Sequence, residues 1–235
     1  VQSEFIQVRY KEKDKLYLPV YRINQLQKYA SSVIQVSLDK LGGQAWEKTK
    51  TKVRGHLRDM AAQLLKLYAQ RADLHREPFV WDEGDLLKFD REFPYEETDD
   101  QLRAIDDLMK DFKSTKPMDR LICGDVGFGK TEVAMRAVFR MVQAQKQVAV
   151  LAPTTVLTFQ HAETFKKRFD GWPFEIRVLN RFVSTADAKK YVNEIKEGTA
   201  HMLIGTHRIL SSDIKFQNLG LMIVDEEQKF GVAHK

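Results

Sequence analysis

Apolar residues change their spacing along this chain, and each change marks a different kind of element. In the first twenty residues they alternate: Ile6, Val8 and Tyr10 share one face of a run over residues 5–10, a second run follows over residues 15–20, and the polar Lys11-Glu12-Lys13-Asp14 joins them. Period-two spacing around a short polar link predicts a β-hairpin. Two strands alone are marginal in water, so the hairpin is expected to be the remnant of a larger β-domain or to pack on something else. After Leu41-Gly42-Gly43 the spacing becomes three and four. Val53, Leu57, Met60, Leu64 and Leu67 fall on one helical face, which predicts a single helix over residues 44–73. At 1.5 Å per residue it would run roughly 45 Å, enough to bridge two domains. Glu77-Pro78 closes the segment, because proline cannot continue a helix.

From Met118 onward short apolar runs alternate with helical periods. Strands are expected at residues 120–123, 147–151, 174–179, 201–205 and 221–224, and helices at 130–144, 154–169 and 184–197. That alternation is the signature of an open α/β parallel sheet covered on both faces, and such sheets bind ligands outside the carboxyl ends of their strands.

Composition narrows the class. With 43% hydrophobic and 30% charged residues the 235-residue chain is globular, neither disordered nor fibrous. It holds no run of eighteen apolar residues, so no membrane partner is expected. Val1-Gln2-Ser3-Glu4-Phe5 has neither the basic start nor the apolar stretch of a leader, and Cys123, the single cysteine, excludes an internal disulfide; a cytoplasmic location is the expectation. The net charge of +5 is compatible with nucleic acid without arguing for it. Its distribution says more: residues 44–76 carry eight bases against three acids, and residues 82–111 carry twelve acids against four bases. The bases of the long helix read as a solvated face, since no aromatic or glycine signal accompanies them.

Gly124-Asp125-Val126-Gly127-Phe128-Gly129-Lys130-Thr131 fits G-x-x-x-x-G-K-[ST], between an expected strand and an expected helix. The glycines let backbone N–H groups curl around a phosphate at a helix N-terminus, Lys130 reaches the β- and γ-phosphates, and the Thr131 hydroxyl can ligate Mg²⁺. A tight glycine turn would explain the glycines but not the Lys-Thr pair. Further on, Leu221-Met222-Ile223-Val224 runs into Asp225-Glu226-Glu227-Gln228, a buried strand that delivers acids to the sheet's carboxyl edge. Asp225 is placed to hold Mg²⁺ and Glu226 to orient the attacking water. An acidic cluster after a strand is usually a solvated loop; downstream of a P-loop it is more often the metal site. ATP with Mg²⁺ is the expected ligand.

Phe93-Pro94-Tyr95-Glu96-Glu97-Thr98-Asp99-Asp100-Gln101, Ala152-Pro153-Thr154-Thr155 with Gln160-His161, and Gly205-Thr206-His207 complete a pattern that resembles the DEAD/DEAH-like superfamily-2 translocases. The resemblance implies that Gln101 pairs with the adenine edge while Phe93 packs on the base. It also implies that Thr154, Thr155, Gln160, His161, Arg181, Gly205, Thr206 and His207 grip the phosphates of a tracked strand, without sequence preference. By default a threonine-rich turn is a helix cap and His207 a surface or core histidine, so these assignments lean on the P-loop and the acidic motif.

Residues 123–137, the Asn180-Arg181-Phe182 turn and residues 225–232 are similar to the first motor lobe of the transcription-repair coupling factor family. Residues 14–20 and 40–46 resemble the end of that family's CarD-like RNA-polymerase-interacting domain and the start of its connecting helix. RecG-type fork helicases share the Gly124-Asp125-Val126-Gly127 core and the Phe230-Gly231-Val232 tail, and are the alternative; they carry an oligonucleotide-binding wedge domain upstream instead. The coupling-factor resemblance implies a RecA-like P-loop sheet in residues 79–235, a linker with a long helix in 31–78, and the remnant of a CarD-like domain in 1–30. It implies an ATP-dependent double-stranded-DNA translocase that displaces stalled RNA polymerase and couples transcription to repair. A nucleotide-excision-repair damage-recognition protein would be recruited through regions outside this chain. The chain is expected to be a fragment without the second lobe and its arginine finger, a group worth about 10³ to 10⁵ in rate, and so to turn over little ATP. Gln228 departs from the histidine of many relatives, which touches the link between ATP and the partner lobe.

Overall fold

The computed structural model describes residues 4–26, 40–41 and 44–230; Gly42, Gly43, Gly231 and Val232, which carry part of the resemblance, lie outside the described residues. Two compact units divide the chain, Val1–Asp73 and Leu74–Lys235.

In the first unit β1 (Phe5–Arg9) pairs antiparallel with β2 (Lys15–Pro19), Ile6 facing Leu18 and Arg9 facing Lys15. Ile6, Val8 and Tyr10 are half-buried on one face, as their alternation requires. The link is a single 3₁₀ turn, Lys11–Lys13, and a second 3₁₀ segment, Val20–Gln25, folds back so that the Val20 N–H reaches the Glu4 carbonyl at 3.0 Å. Helix α1 (Ala45–Ala72) matches the expected helix to within a residue at each end. Its apolar stripe is open to solvent, with Leu57 57% exposed.

The second unit begins with α2 (Glu83–Arg91) and α3 (Asp99–Lys113), two helices that the acid-rich sequence of residues 82–111 concealed. Both have built-in starts. The Asp82 carboxylate accepts from the Gly84 N–H at 2.7 Å, and Thr98 with Gln101 forms a reciprocal capping box. There follow α4 (Lys130–Gln143), β3 (Gln147–Leu151), α5 (Thr155–Arg168), β4 (Ile176–Leu179), α6 (Thr185–Glu197), β5 (Met202–Gly205) and β6 (Leu219–Val224). The strands form one parallel sheet in the order β4-β5-β3-β6, with Val148 level with Met202 on one side and Leu221 on the other.

Side chains alternate across this sheet as the pleat demands. Val148, Val150, Met202, Ile204 and Leu221 pack with α2 to α5, where Phe89 stacks on Phe139 at 4.1 Å between ring centres. Ala149, Leu151, Leu179 and Leu203 pack on the other face against Ile195 of α6 and Ile209. This is the RecA-like sheet with helices on both faces. The expected strand at residues 120–123 is a correction: the segment pairs with no strand among the described residues, and Leu121 is 76% exposed. A strand exists only through its neighbour, and an apolar run does not reveal whether one is present.

Candidate functional site

Because the strands are parallel, their carboxyl ends open on one edge. Leu151 leads to Thr154-Thr155, Leu179 to Asn180-Arg181, Gly205 to Thr206-His207, and Val224 to Asp225. The edge is tied across strands: the Ala152 N–H donates to the Gly205 carbonyl and the Asp225 N–H to the Leu151 carbonyl, both at 2.9 Å.

The P-loop runs exposed into α4. Gly127 at φ +86° and Gly129 at φ +70° hold left-handed conformations that disfavour a side chain, and Gly129 caps the helix that starts at Lys130. The Lys130 ammonium donates to the carbonyls of Gly124 at 2.5 Å and Asp125 at 2.7 Å, so the loop curls around its own lysine. Gln101 meets the loop from α3. Its Oε1 accepts from the Thr98 N–H at 2.9 Å and its Nε2 donates to the Phe128 carbonyl at 3.1 Å. Phe93 is half-buried, 5.5 Å from the Tyr95 ring, with the Arg136 guanidinium 5.5 Å from its centre.

Asp225 follows β6 and turns to α5. Its Oδ2 lies 2.7 Å from His161 Nε2, and this hydrogen bond is the main reason its carboxyl sits below the usual carboxylate range. Partial burial opposes the shift, while the charge of His161, a bond from the Glu226 backbone and the positive charge of Lys130 add to it. That Lys130 acts on Asp225 places the loop lysine and the carboxylate within electrostatic reach of each other. With Asp225 ionised, the imidazole Nε2 carries the donated proton. Glu226 has φ +53°, a strained setting for a residue with a side chain, and its carboxylate pairs with Lys229 at 2.5 Å. Glu227 and Gln228 are exposed in the 3₁₀ turn Glu227–Lys229.

The residues expected to grip DNA follow the remaining strand ends, except Gln160 and His161, which lie within α5. The Thr154 hydroxyl caps α5 by accepting from the Leu157 N–H at 3.2 Å, Thr155 is half-buried, and Gln160 is exposed. Arg181 lies in the open with its guanidinium 4.9 Å from the Phe182 ring. Thr206 is half-buried, and the exposed His207 has its ring 4.9 Å from that of Phe230. Gly205 is glycine for steric reasons: a Cβ there would stand 2.5 Å from the Leu179 carbonyl oxygen and 2.4 Å from Ile209. His161 stands apart from this group, its side chain 16% exposed and turned to Asp225.

Residues 98–235 match the model of the DEAD/DEAH box helicase family. The chain belongs to that family. As a DEAD/DEAH box helicase domain it is of a helicase-type, nucleotide-using class. All of it aligns with proteins called transcription-repair-coupling factor, at 47% identity to that of Bacillus subtilis, 45% to that of Borreliella burgdorferi and 44% to that of a Staphylococcus aureus strain. It spans about a fifth of their length, between 20% and 21%. A solved structure of RecG bound to a three-way DNA junction superposes with a TM-score of 0.66 at 31% identity, covering 71% of this chain and 23% of that one. No helix among the described residues is long and apolar enough to cross a membrane.

The helicase domain's donor set suits Mg²⁺. Asp225 and Thr131 offer hard oxygen ligands, and no group of three or more His, Cys, Asp or Glu residues able to hold a metal exists among the described residues. Mg²⁺ needs no such cage when it is shared with nucleotide phosphates.

One constellation lies outside the residues expected to form the site. Directly behind the P-loop, Glu132, Arg136 and Arg140 of α4 are buried in an ion network. Arg136 bonds Glu132 at 3.1 Å and also Glu97, Arg140 reaches Asp90 at 3.2 Å, and Arg168 bonds Glu132 at 3.0 Å with its guanidinium 3.7 Å from the centre of the Phe89 ring. Through Glu97 and Phe93 it ties the stretch before α3 to the P-loop helix. Its signal was in the sequence: charges at Glu132, Arg136 and Arg140, four apart on an otherwise apolar helix.

Proposed function

We propose that the chain is the first motor lobe of an ATP-driven double-stranded-DNA translocase, the part of a transcription-repair coupling factor that powers displacement of stalled RNA polymerase. What supports this reading is a lysine curled into the glycine loop at the start of α4 whose positive charge acts on the Asp225 carboxylate at the end of β6. ATP binding would draw the Lys130 ammonium from the Gly124 and Asp125 carbonyls onto the β- and γ-phosphates. The amides following Gly127 and Gly129 would line the phosphates, with the α4 N-terminus adding its partial positive charge. Thr131 and Asp225 would hold Mg²⁺, which when bound offsets phosphate charge. Glu226, released from Lys229, would orient the attacking water, and Phe93 with Gln101 would read the adenine. Thr154, Thr155, Gln160, Arg181, Thr206 and His207 would hold the phosphates of one strand, a grip that weakens with salt.

Residues 1–30 would form part of the polymerase-binding domain, and a damage-recognition protein of nucleotide excision repair would bind elsewhere in the full-length, cytoplasmic protein. A RecG-like fork helicase is the second reading, favoured by the superposition on RecG. It is the weaker one, since that likeness covers 71% of the chain and the coupling factors match all of it at higher identity. The test is displacement of a stalled RNA polymerase by the full-length protein. Wild type should release the polymerase only with ATP, and Lys130→Ala should abolish both nucleotide binding and release. Retained affinity for a fluorescent ATP analogue in the variant would remove the P-loop assignment. Fork reversal without polymerase release would favour the second reading.

A further inference from the structure

His161 and Asp225 meet although 64 residues separate them, and both come from backbones that cannot drift. Asp225 leaves β6 with its N–H bonded to the Leu151 carbonyl at 2.9 Å. His161 lies on α5 between the buried Thr158, Ala162 and Phe165. Thr158 is held in turn by the Asn180 amide at 3.0 Å, at the end of β4. The Phe165 ring stands edge-on to the imidazole, 6.4 Å from it. The imidazole is therefore delivered to the Asp225 carboxylate in one orientation, with its Nε2 at 2.7 Å and its side chain largely out of solvent.

From this geometry we infer that His161 is a positioning residue that fixes the orientation of the Asp225 carboxylate, and that it belongs to the nucleotide site and not to the strand grip. The inference rests on the reading of Asp225 as a Mg²⁺ ligand. A ligating carboxylate left without its hydrogen-bond donor samples other rotamers, and loss of such outer partners typically weakens metal binding or activity about 10- to 100-fold. The helix adds a consequence. The first turn of α5 presents Thr154 and Thr155, and His161 follows less than two turns later. One rigid element thus carries both the hydroxyls offered to DNA and the donor that sets the metal ligand.

The measurement is the Mg²⁺-dependent gain in affinity of the full-length protein for a fluorescent ATP analogue, taken as the ratio of Kd in EDTA to Kd in Mg²⁺. His161→Ala should reduce that gain about tenfold or more while leaving the Kd in EDTA unchanged. His161→Gln, which can place an N–H at a similar reach, should keep most of it. An unchanged gain in His161→Ala overturns the inference, as does a His161→Gln variant that melts like wild type yet loses the gain. Asp225→Asn, measured alongside, separates the two readings. If it too keeps the gain, Asp225 is no Mg²⁺ ligand and both fall. If it loses the gain and His161→Ala does not, only the role of His161 falls.

Discussion

Gly129→Ala puts the packing of α3 on the P-loop to a quantitative test. At φ +70° an added Cβ costs about 1–2 kcal/mol in backbone strain. It would also stand 2.3 Å from Gln101 Nε2, the far end of a flexible side chain, so Gln101 should swing aside. Swinging breaks the bond to the Phe128 carbonyl and the return half of the capping box on the Thr98 N–H, each worth about 1 kcal/mol net. The substitution should then destabilise the second unit by about 3–4 kcal/mol. Gln101→Ala should cost about 2 kcal/mol, because it forfeits the same two bonds. In the double variant those bonds are lost once, so it should be about 2 kcal/mol more stable than the sum of the single effects. Urea unfolding followed by the fluorescence of Trp81 and Trp172 would report this as shifts in midpoint at constant slope. Additivity within about 0.5 kcal/mol would refute the argument, since it would mean that Gln101 does not occupy the space a methyl group at 129 needs.

Gly205→Ala meets backbone instead of a side-chain tip, at 2.5 Å from the Leu179 carbonyl oxygen. It should lower stability by about 1–3 kcal/mol in a thermal melt; an unchanged melting temperature would show that β4 and β5 can part freely. Glu97 lies below the ordinary carboxylate range, through a backbone N–H first and then Arg136, so its folded value is lower than its unfolded one. Its stabilisation is present above the ordinary value near pH 4 and is lost as pH falls through the lowered one. Glu97→Gln should flatten the fall in urea stability between about pH 5 and 3, and parallel profiles for variant and wild type would show that the pair adds nothing.

Where an element is written in a single period, its sequence predicted it well. Helices α4, α5 and α6 and strand β3 fall within a residue of the expected spans, because an apolar face of constant spacing is enough to define them. Helices α2 and α3 are concealed in the sequence because acids crowd their outer faces, although Leu86, Phe89, Ile105, Leu108 and Phe112 hold helical spacing and are buried. Residues 120–123 have the composition of a strand without a ladder, which depends on chain elsewhere. At the site, the apolar runs of β3, β5 and β6 made it legible that Thr154, Thr206 and Asp225 follow strand ends. They could not predict orientation: His161 sits in a stretch expected to grip phosphates, and only the packing of α5 shows its ring turned inward to a carboxylate. Nor could they show that Gln101 is engaged by Thr98 and Phe128.

The outer side of β6 is the margin of the sheet, with no ladder partner among the described residues and with Met222 and Val224 both 41% exposed. Amides and carbonyls left open beside apolar side chains are adhesive to any extended polypeptide. Purified on its own, this polypeptide should therefore self-associate as concentration rises unless that margin is masked. Oligomers seen at high concentration would then reflect bare sheet, and an added strand that fits β6 should return them to monomers.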